Sequence, residues 1–270
     1  MCATCGCAGD GAVVHAAAGV HDHDREHPHG REHPPGYEHP PGHEDPLGHV
    51  IPPGDTRTIQ LQQKVLAKND DIAARNRERL AERGVRMLNL MSSPGAGKTT
   101  LLECSARALA GDLDIAVIEG DQETALDAGR ISAAGCRVVQ INTGAGCHLD
   151  AAMIARGLDE LDPASGTIVI IENVGNLVCP ALFDLGEANR VVLASVTEGA
   201  DKPLKYPQMF RQAGLVLLTK VDLLPYIDFD TDRYAADLAS VNPAARLLHL
   251  SAVSGEGMNA WLDWLTTAQK

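Results

Sequence analysis

The chain has 270 residues, 44% of them hydrophobic, and a formal net charge of −13. That is enough apolar material for one large or two small cores, while the acidic balance excludes nucleic acid and anionic membranes as partners, because both need clustered Lys and Arg. No apolar run approaches the roughly 20 residues that span a bilayer and the start lacks a basic-then-apolar leader, so a cytoplasmic protein is expected, in which the seven cysteines stay reduced and read as metal ligands or redox groups.

The opening stretch MCATCGC places Cys2, Cys5 and Cys7 close together. With a free α-amine they make a soft four-donor set suited to tight binding of a divalent ion; a redox C-x-x-C needs a thioredoxin-like setting, and the sequence signals none. Nine of the eleven histidines lie between His15 and His49, His21, His23, His27, His29, His33, His39 and His43 among them. They are interleaved with Pro, Gly, Asp and Glu in repeats such as EHPPG. Largely neutral imidazoles in the cytosol would bind several metal ions loosely. Because the segment holds too few large apolar side chains to offset its ordering entropy, residues 1–54 are expected to be a disordered Cys/His-rich tail.

Residues 55–84 follow, with Ile59, Val65, Leu66, Ile72 and Leu80 at roughly helical spacing and Gly84 as a stop, which predicts one long helix or two shorter ones. From Arg86 the pattern becomes short apolar runs, RMLNLM, DIAVIEG, RVVQIN, TIVIIEN, RVVLASV, LVLLTK and ARLLHL, mostly separated by helix-length segments. This alternation predicts an α/β domain over residues 85–270, a mainly parallel sheet with helices on both faces.

Directly after the first run stands SSPGAGKTT. Ser93, Pro94, Gly95, Ala96 and Gly97 would form a phosphate-binding loop whose amides point at the oxygens, Lys98 would hold the β- and γ-phosphates, Thr99 would ligate Mg2+, and Thr100 continues into the helix. Ser92 stands where the first glycine of the G-x-x-x-x-G-K-[ST] pattern belongs, a departure that bears on the fine geometry of the loop. The second run ends in EGDQET, offering Asp121 and Glu123 as further groups around the metal, with helix capping as the alternative role.

GAGCHLD sets Cys147 beside His148 on a glycine loop, and ENVGNLVCP carries Glu172 and Gly175 where GTPases have the Asp and Gly of D-x-x-G, with Cys179 four residues on. The glycine amide would sense the γ-phosphate and the carboxylate would order Mg2+. Two thiolates and an imidazole suit Zn2+ or Ni2+, provided that the pair and Cys179 meet in space. Cys104 and Cys136 read as inert core residues.

TKVD supplies Thr219, Lys220 and Asp222. Asp222 can accept from both N1–H and the exocyclic amine of guanine, whereas adenine presents an acceptor at N1. Lys220 would lie along the purine face. Thr219 replaces the usual Asn, so a weaker contact to N7 or the phosphate loop is expected. SAVSGEG adds Ser251 and Ala252 as a loop backing the base.

Taken together, MCATCGC, the His-rich stretch, SSPGAGKTT, GDQET, GAGCHLD, ENVGNLVCP, TKVDLLPY and SAVSGEGM resemble the HypB family of GTPases that assist nickel insertion into [NiFe]-hydrogenase. The resemblance implies a P-loop NTPase fold of the SIMIBI class and slow hydrolysis of GTP to GDP and phosphate. It implies a homodimer promoted by GTP, and Ni2+ delivery with a HypA-type nickel chaperone to the hydrogenase large-subunit precursor. It also implies a tight nickel site at Cys2, Cys5 and Cys7, and a second site at Cys147, His148 and Cys179 near the dimer interface, with Zn2+ as the alternative ion. Two other readings remain open: a nickel store with a vestigial nucleotide domain, and a urease-type nickel GTPase, which typically carries Cys-Pro-His where this chain has LVCPAL. A small-molecule P-loop kinase is disfavoured by Asp222 together with Ser251.

Overall fold

A computed structural model describes residues 54–121, 126–144 and 146–267. The elements run α1 (Gly54–Glu82), β1 (Arg86–Ser92), α2 (Lys98–Ala108), β2 (Ile115–Asp121), α3 (Leu126–Ala133), β3 (Arg137–Asn142), α4 (Ala151–Leu161) and β4 (Ile168–Glu172). After a 3-10 turn at Cys179–Leu182 come β5 (Asn189–Ser195), α5 (Lys202–Lys205), α6 (Pro207–Arg211), β6 (Leu215–Thr219), α7 (Thr231–Val241), β7 (Arg246–Leu250) and α8 (Met258–Thr267).

The seven strands form one sheet in the order β3-β2-β4-β1-β5-β6-β7, and every neighbouring pair is parallel. Strands β4 and β6 are buried at every position. A continuous apolar run of this kind marks a strand covered on both faces. Alternate residues supply the two faces: Leu88, Leu90, Val117, Ile168 and Ile170 pack in one cluster with Leu101, Ile131 and Trp261 from α2, α3 and α8. On the opposite face Met87, Ile118, Val169 and Ile171 pack with Leu80, Ile154 and Leu158 from α1 and α4. Trp261 is fully buried and donates its indole N–H to Ser105 Oγ at 2.8 Å, so its one polar atom is satisfied inside the core.

Residues 54–82 form one helix, not two. Its inward stripe differs from the apolar pattern read in the sequence. Val65 is exposed, while Asn69, Ala73, Asn76 and Leu80 are buried. The two asparagines face α4 because they have backbone partners there. Asn69 accepts from Ala151 N–H and donates to the Asp184 carbonyl, and Asn76 donates to the Ala151 and Leu185 carbonyls. Such bonds offset the cost of burying an amide. Among the described residues no helix is long and apolar enough to cross a membrane.

In a parallel sheet the C-terminal ends of all strands emerge on one edge, and ligands of such folds bind there, where the strand order reverses. Strand β1 lies between β4 and β5. The loops after β1, β2, β3, β4, β6 and β7 therefore share one rim.

Candidate functional site: a nucleotide cleft beside a thiol–imidazole cluster

The loop joining β1 to α2 turns through Gly95 (φ 75°) and Gly97 (φ 102°). Both lie in the left-handed region that side chains disfavour, which is why glycine stands at these two places. The loop walls a cleft of about 540 Å3 with Pro94, Lys98, Thr99, Asp121, Glu172 and Gly175 on its lining. Lys98 is buried and donates from Nζ to Ser92 Oγ at 2.9 Å, while Ser92 donates in turn to the Ser93 carbonyl at 2.6 Å. The serine in the place of the first glycine thus holds the lysine at the floor of the cleft. Burial pulls the Lys98 ammonium below its usual value, opposed first by the nearby Glu172 carboxylate.

Thr99 donates to Glu172 Oε1 at 2.7 Å. The other Glu172 oxygen is buried with no hydrogen-bond partner, and so is Glu119 Oε2. Glu119 and Glu172 are register partners on β2 and β4. Burial, then Glu172 and Asp121, push Glu119 up to about 8, and Glu172 is likewise raised by burial, opposed first by Lys98. The unmatched Glu172 oxygen beside the Thr99 hydroxyl, with Asp121 at the end of β2 on the same cleft, gives the oxygen-only donor type that a hard divalent cation takes, and Glu119 is the register partner of Glu172. Glu119 was missed in the sequence because a single acid inside an apolar run carries no motif. Glu123 lies outside the described residues. Also on the cleft lining, Arg130 bonds to Glu103, Asp127 and Thr100 Oγ1, an ion-pair cluster with no signature in the sequence.

The residues expected to read the base converge from β6 and β7. Thr219 donates to the Ala96 carbonyl of the phosphate loop at 2.8 Å. The threonine therefore keeps a short tie to the loop, where a weaker contact was expected. Lys220 adopts a left-handed backbone (φ 60°) that turns the chain from β6 into the 3-10 turn Val221–Tyr226. In that turn Asp222 Oδ1 is buried without a hydrogen-bond partner among the described residues. An acceptor withdrawn from water and unmatched by protein fits a ligand donor. Ser251 is fully buried, and its Oγ accepts from Val253 and Ser254 N–H at 3.3 and 3.1 Å, while the Ala252 carbonyl accepts from Cys104 Sγ at 3.5 Å. Cys104 and Cys136 pack against the core cluster as half-buried residues, and burial pushes the Cys136 thiol up, as in an inert site.

Ligand atoms of Cys147, His148 and Cys179 all lie within 4.8 Å of one another. The structure thus brings together three residues that spacing alone left apart. Cys147 Sγ is 3.7 Å from His148 Nδ1, and the imidazole stacks on Phe183 with ring centroids 4.0 Å apart and planes at 23°. Burial lowers the His148 pKa below its usual value, which keeps the ring neutral and able to donate a lone pair near pH 7. Proximity follows from topology: β3 and β4 flank β2, so the loops leaving them meet across the end of one strand. Cys2, Cys5, Cys7 and the tail histidines lie outside the described residues.

The family model "CobW/HypB/UreG, nucleotide-binding domain" matches residues 86–249. The chain is 54% identical over 211 residues to "Hydrogenase maturation factor HypB" of Escherichia coli (strain K12), which covers 78% of this chain and 73% of that protein. It is 40% identical over 213 residues to "Hydrogenase/urease maturation factor HypB" of Helicobacter pylori (strain J99), covering 77% and 87%. Among solved structures, HypB from Archaeoglobus fulgidus superposes with a TM-score of 0.71 at 38% identity over 76% of this chain and 100% of that one. HypB from Helicobacter pylori in complex with nickel gives a TM-score of 0.71 at 39% identity over 75% and 95%. With the glycine loop, the buried Asp222 acceptor and the thiol–imidazole cluster on one rim of one sheet, the chain belongs to the CobW/HypB/UreG family, on its HypB branch.

Proposed function

We propose that this chain is a GTP-hydrolysing nickel metallochaperone of [NiFe]-hydrogenase maturation, in which the nucleotide times the release of Ni2+. The observation that carries the reading is the short segment from Glu172 to Cys179. One end reaches the phosphate cleft through Glu172 and Gly175, and the other supplies a thiol to the cluster with Cys147 and His148. The two sites share a backbone.

In this reading the phosphate-loop amides and Lys98 bind the triphosphate and neutralise the charge that develops as the γ-phosphoryl leaves. Thr99, Glu172 and Asp121 would hold Mg2+, which would supply charge neutralisation for the phosphates. Asp222 selects guanine, Lys220 covers its face, and Thr219 with Ser251 and Ala252 fixes the surrounding loops. Ni2+ is cargo, collected by Cys2, Cys5, Cys7 and the histidine tail and passed through Cys147, His148 and Cys179, where Zn2+ competes. GTP promotes a homodimer, and a HypA-type chaperone and the hydrogenase large-subunit precursor are the partners of delivery.

The test is a competitive Ni2+ titration of the full-length protein carrying Cys2→Ala, Cys5→Ala and Cys7→Ala, which removes the tight tail site, against a chelator strong enough to keep the loosely binding tail histidines empty. Run with GDP and with a non-hydrolysable GTP analogue, it should give affinities roughly 5–150-fold apart, the span of a typical coupling of about 1–3 kcal/mol. Identical affinities would reject timed release and favour a nickel store.

A further inference from the structure

Asn176 follows Gly175 directly, and its side chain is shared between the two halves of the thiol–imidazole cluster. Its Oδ1 accepts from Val178 N–H at 2.8 Å and from Cys179 N–H at 3.4 Å, while its Nδ2 donates to the Cys147 carbonyl at 3.4 Å. One planar amide thus holds the backbone of both cysteines. The two bonds to the cysteines are at the long end of the hydrogen-bond range, so a displacement of a few tenths of an ångström opens or closes them, whereas the bond to Val178 tolerates it.

Asn173, three residues earlier, provides the contrast. It is buried, its Oδ1 accepts from Leu149 and Val174 N–H at 3.4 and 2.9 Å, and its Nδ2 donates to Asn89 Oδ1 on β1 at 3.2 Å. Asn89 donates onward to Glu187 Oε1 at 3.2 Å, and Glu187 is paired with Arg190 at 2.7 Å. Asn173 itself is therefore fastened to the middle of the sheet, and it reaches Leu149, next to His148, by a bond as long as those of Asn176 to the cysteines. Asn173 is a fixed reference, and Asn176 bridges two loops. Gly175 lies between them, against Pro94 of the phosphate loop, so close that an added Cβ would sit 3.0 Å from the Pro94 Cα and N. A shift of Gly175 relative to that loop reaches Asn176 through one peptide unit.

We propose that Asn176 is the positioning residue through which the state of the phosphate cleft sets the spacing of Cys147 and Cys179. The proposal rests on reading the cluster as the nickel site and Gly175 as the γ-phosphate sensor. Asn176 does not touch the metal; it acts on the thiols through their own backbone, as outer groups orient metal ligands. A residue that only stabilised the 176–179 turn would alter metal affinity equally in every nucleotide state. A coupling residue alters the ratio between states.

The experiment measures that ratio in full-length protein with Cys2→Ala, Cys5→Ala and Cys7→Ala, using Ni2+ against a chelator with GDP or a non-hydrolysable GTP analogue. Thiolate-to-metal charge-transfer absorbance with Co2+ serves as a second readout. In Asn176→Ala the affinity itself should fall by as much as roughly 10–100-fold, and the ratio between nucleotide states should collapse to about one on the linkage argument. Asn176→Asp keeps an acceptor for Val178 and Cys179 and places an unmatched oxygen against the Cys147 carbonyl. It should preserve GDP binding and the melting temperature and still lose the ratio, which separates uncoupling from misfolding. A ratio that survives in either variant overturns the proposal and leaves timed release standing. A ratio of one in the unsubstituted Asn176 protein overturns both.

Discussion

Replacing Gly175 by alanine probes the contact on which the proposed nucleotide sensing would depend. The new Cβ would lie 3.0 Å from Pro94 Cα and N and 3.2 Å from its Cγ, against the 3.5–4.0 Å at which carbon atoms attract. Two of those atoms are backbone and the third belongs to a stiff ring, so no side-chain rotation relieves the clash. The segment and the phosphate loop must move apart by a few tenths of an ångström. Inserting a methylene into packed structure costs about 1–3 kcal/mol, which is roughly 5–150-fold in an equilibrium constant. On the reading that Gly175 senses the γ-phosphate, the segment is free to relax outward with GDP and evade most of that cost, whereas with GTP the Gly175 amide would have to approach the γ-phosphate and the cost would be felt in full. The expectation is a roughly 5–150-fold loss for a non-hydrolysable GTP analogue with little change for GDP, measured by displacement of a fluorescent guanine nucleotide in the presence of Mg2+, with melting curves as the check on folding. Equal losses for the two nucleotides, or none, would refute the assignment of Gly175 as the sensor.

Asp222→Asn should move base preference from guanine toward xanthine, because the new amide can donate to a 2-oxo group. A hydrogen bond to a charged group is worth about 1.5–3 kcal/mol, so the ratio of GTP to XTP affinity should fall by at least tenfold, and an unchanged ratio would contradict the role of that buried oxygen. Glu119→Gln should change the pH dependence of stability in protein freed of nucleotide and Mg2+. Burial beside Glu172 and Asp121 raises Glu119 from 4.5 to about 8, so the folded protein keeps a proton that the unfolded chain releases. The stabilisation is complete below the unfolded value and is lost as pH rises through the folded one. Urea unfolding between pH 5 and about 8 should show the wild type losing stability with rising pH and the glutamine variant losing less. The Glu172 carboxyl, also raised, leaves a residual slope in both, and parallel slopes would show that Glu119 holds no proton there.

The geometry of the loop after β1 and of the turn after β6 was legible in the sequence because each is local: a strand, a tight turn and a helix or 3-10 turn, contiguous in the chain. A glycine at φ 102° or a lysine beside a buried serine acts over a few residues, and a motif records it. The alternation of apolar runs with helix-length spacers specified a parallel sheet for a similar reason, since strands buried on both faces must be apolar throughout. The sequence misled where side chains answer to distant partners. Val65 matched the helical period and is exposed, whereas Asn69 and Asn76 are buried because α4 and the 184–185 segment present carbonyls and amides to them. The replacement of Asn by Thr219 suggested a weaker contact to N7 or the phosphate loop, and only the approach of β6 to Ala96 shows a short bond to the loop.

Only the tertiary structure decided three further points. The order β3-β2-β4 brings Cys179 to Cys147 and His148, a meeting that no spacing rule contains. Register pairs Glu119 with Glu172, turning an unremarked acid into part of a buried carboxylate pair. The Asn173 and Asn176 amides bind loops from opposite sides of β2. The physical reason is common to all three: chemistry at one atom depends on neighbours within a few ångströms, and a sheet chooses those neighbours by lateral order and register. Sequence states which donors the chain carries; folding decides which of them share a ligand.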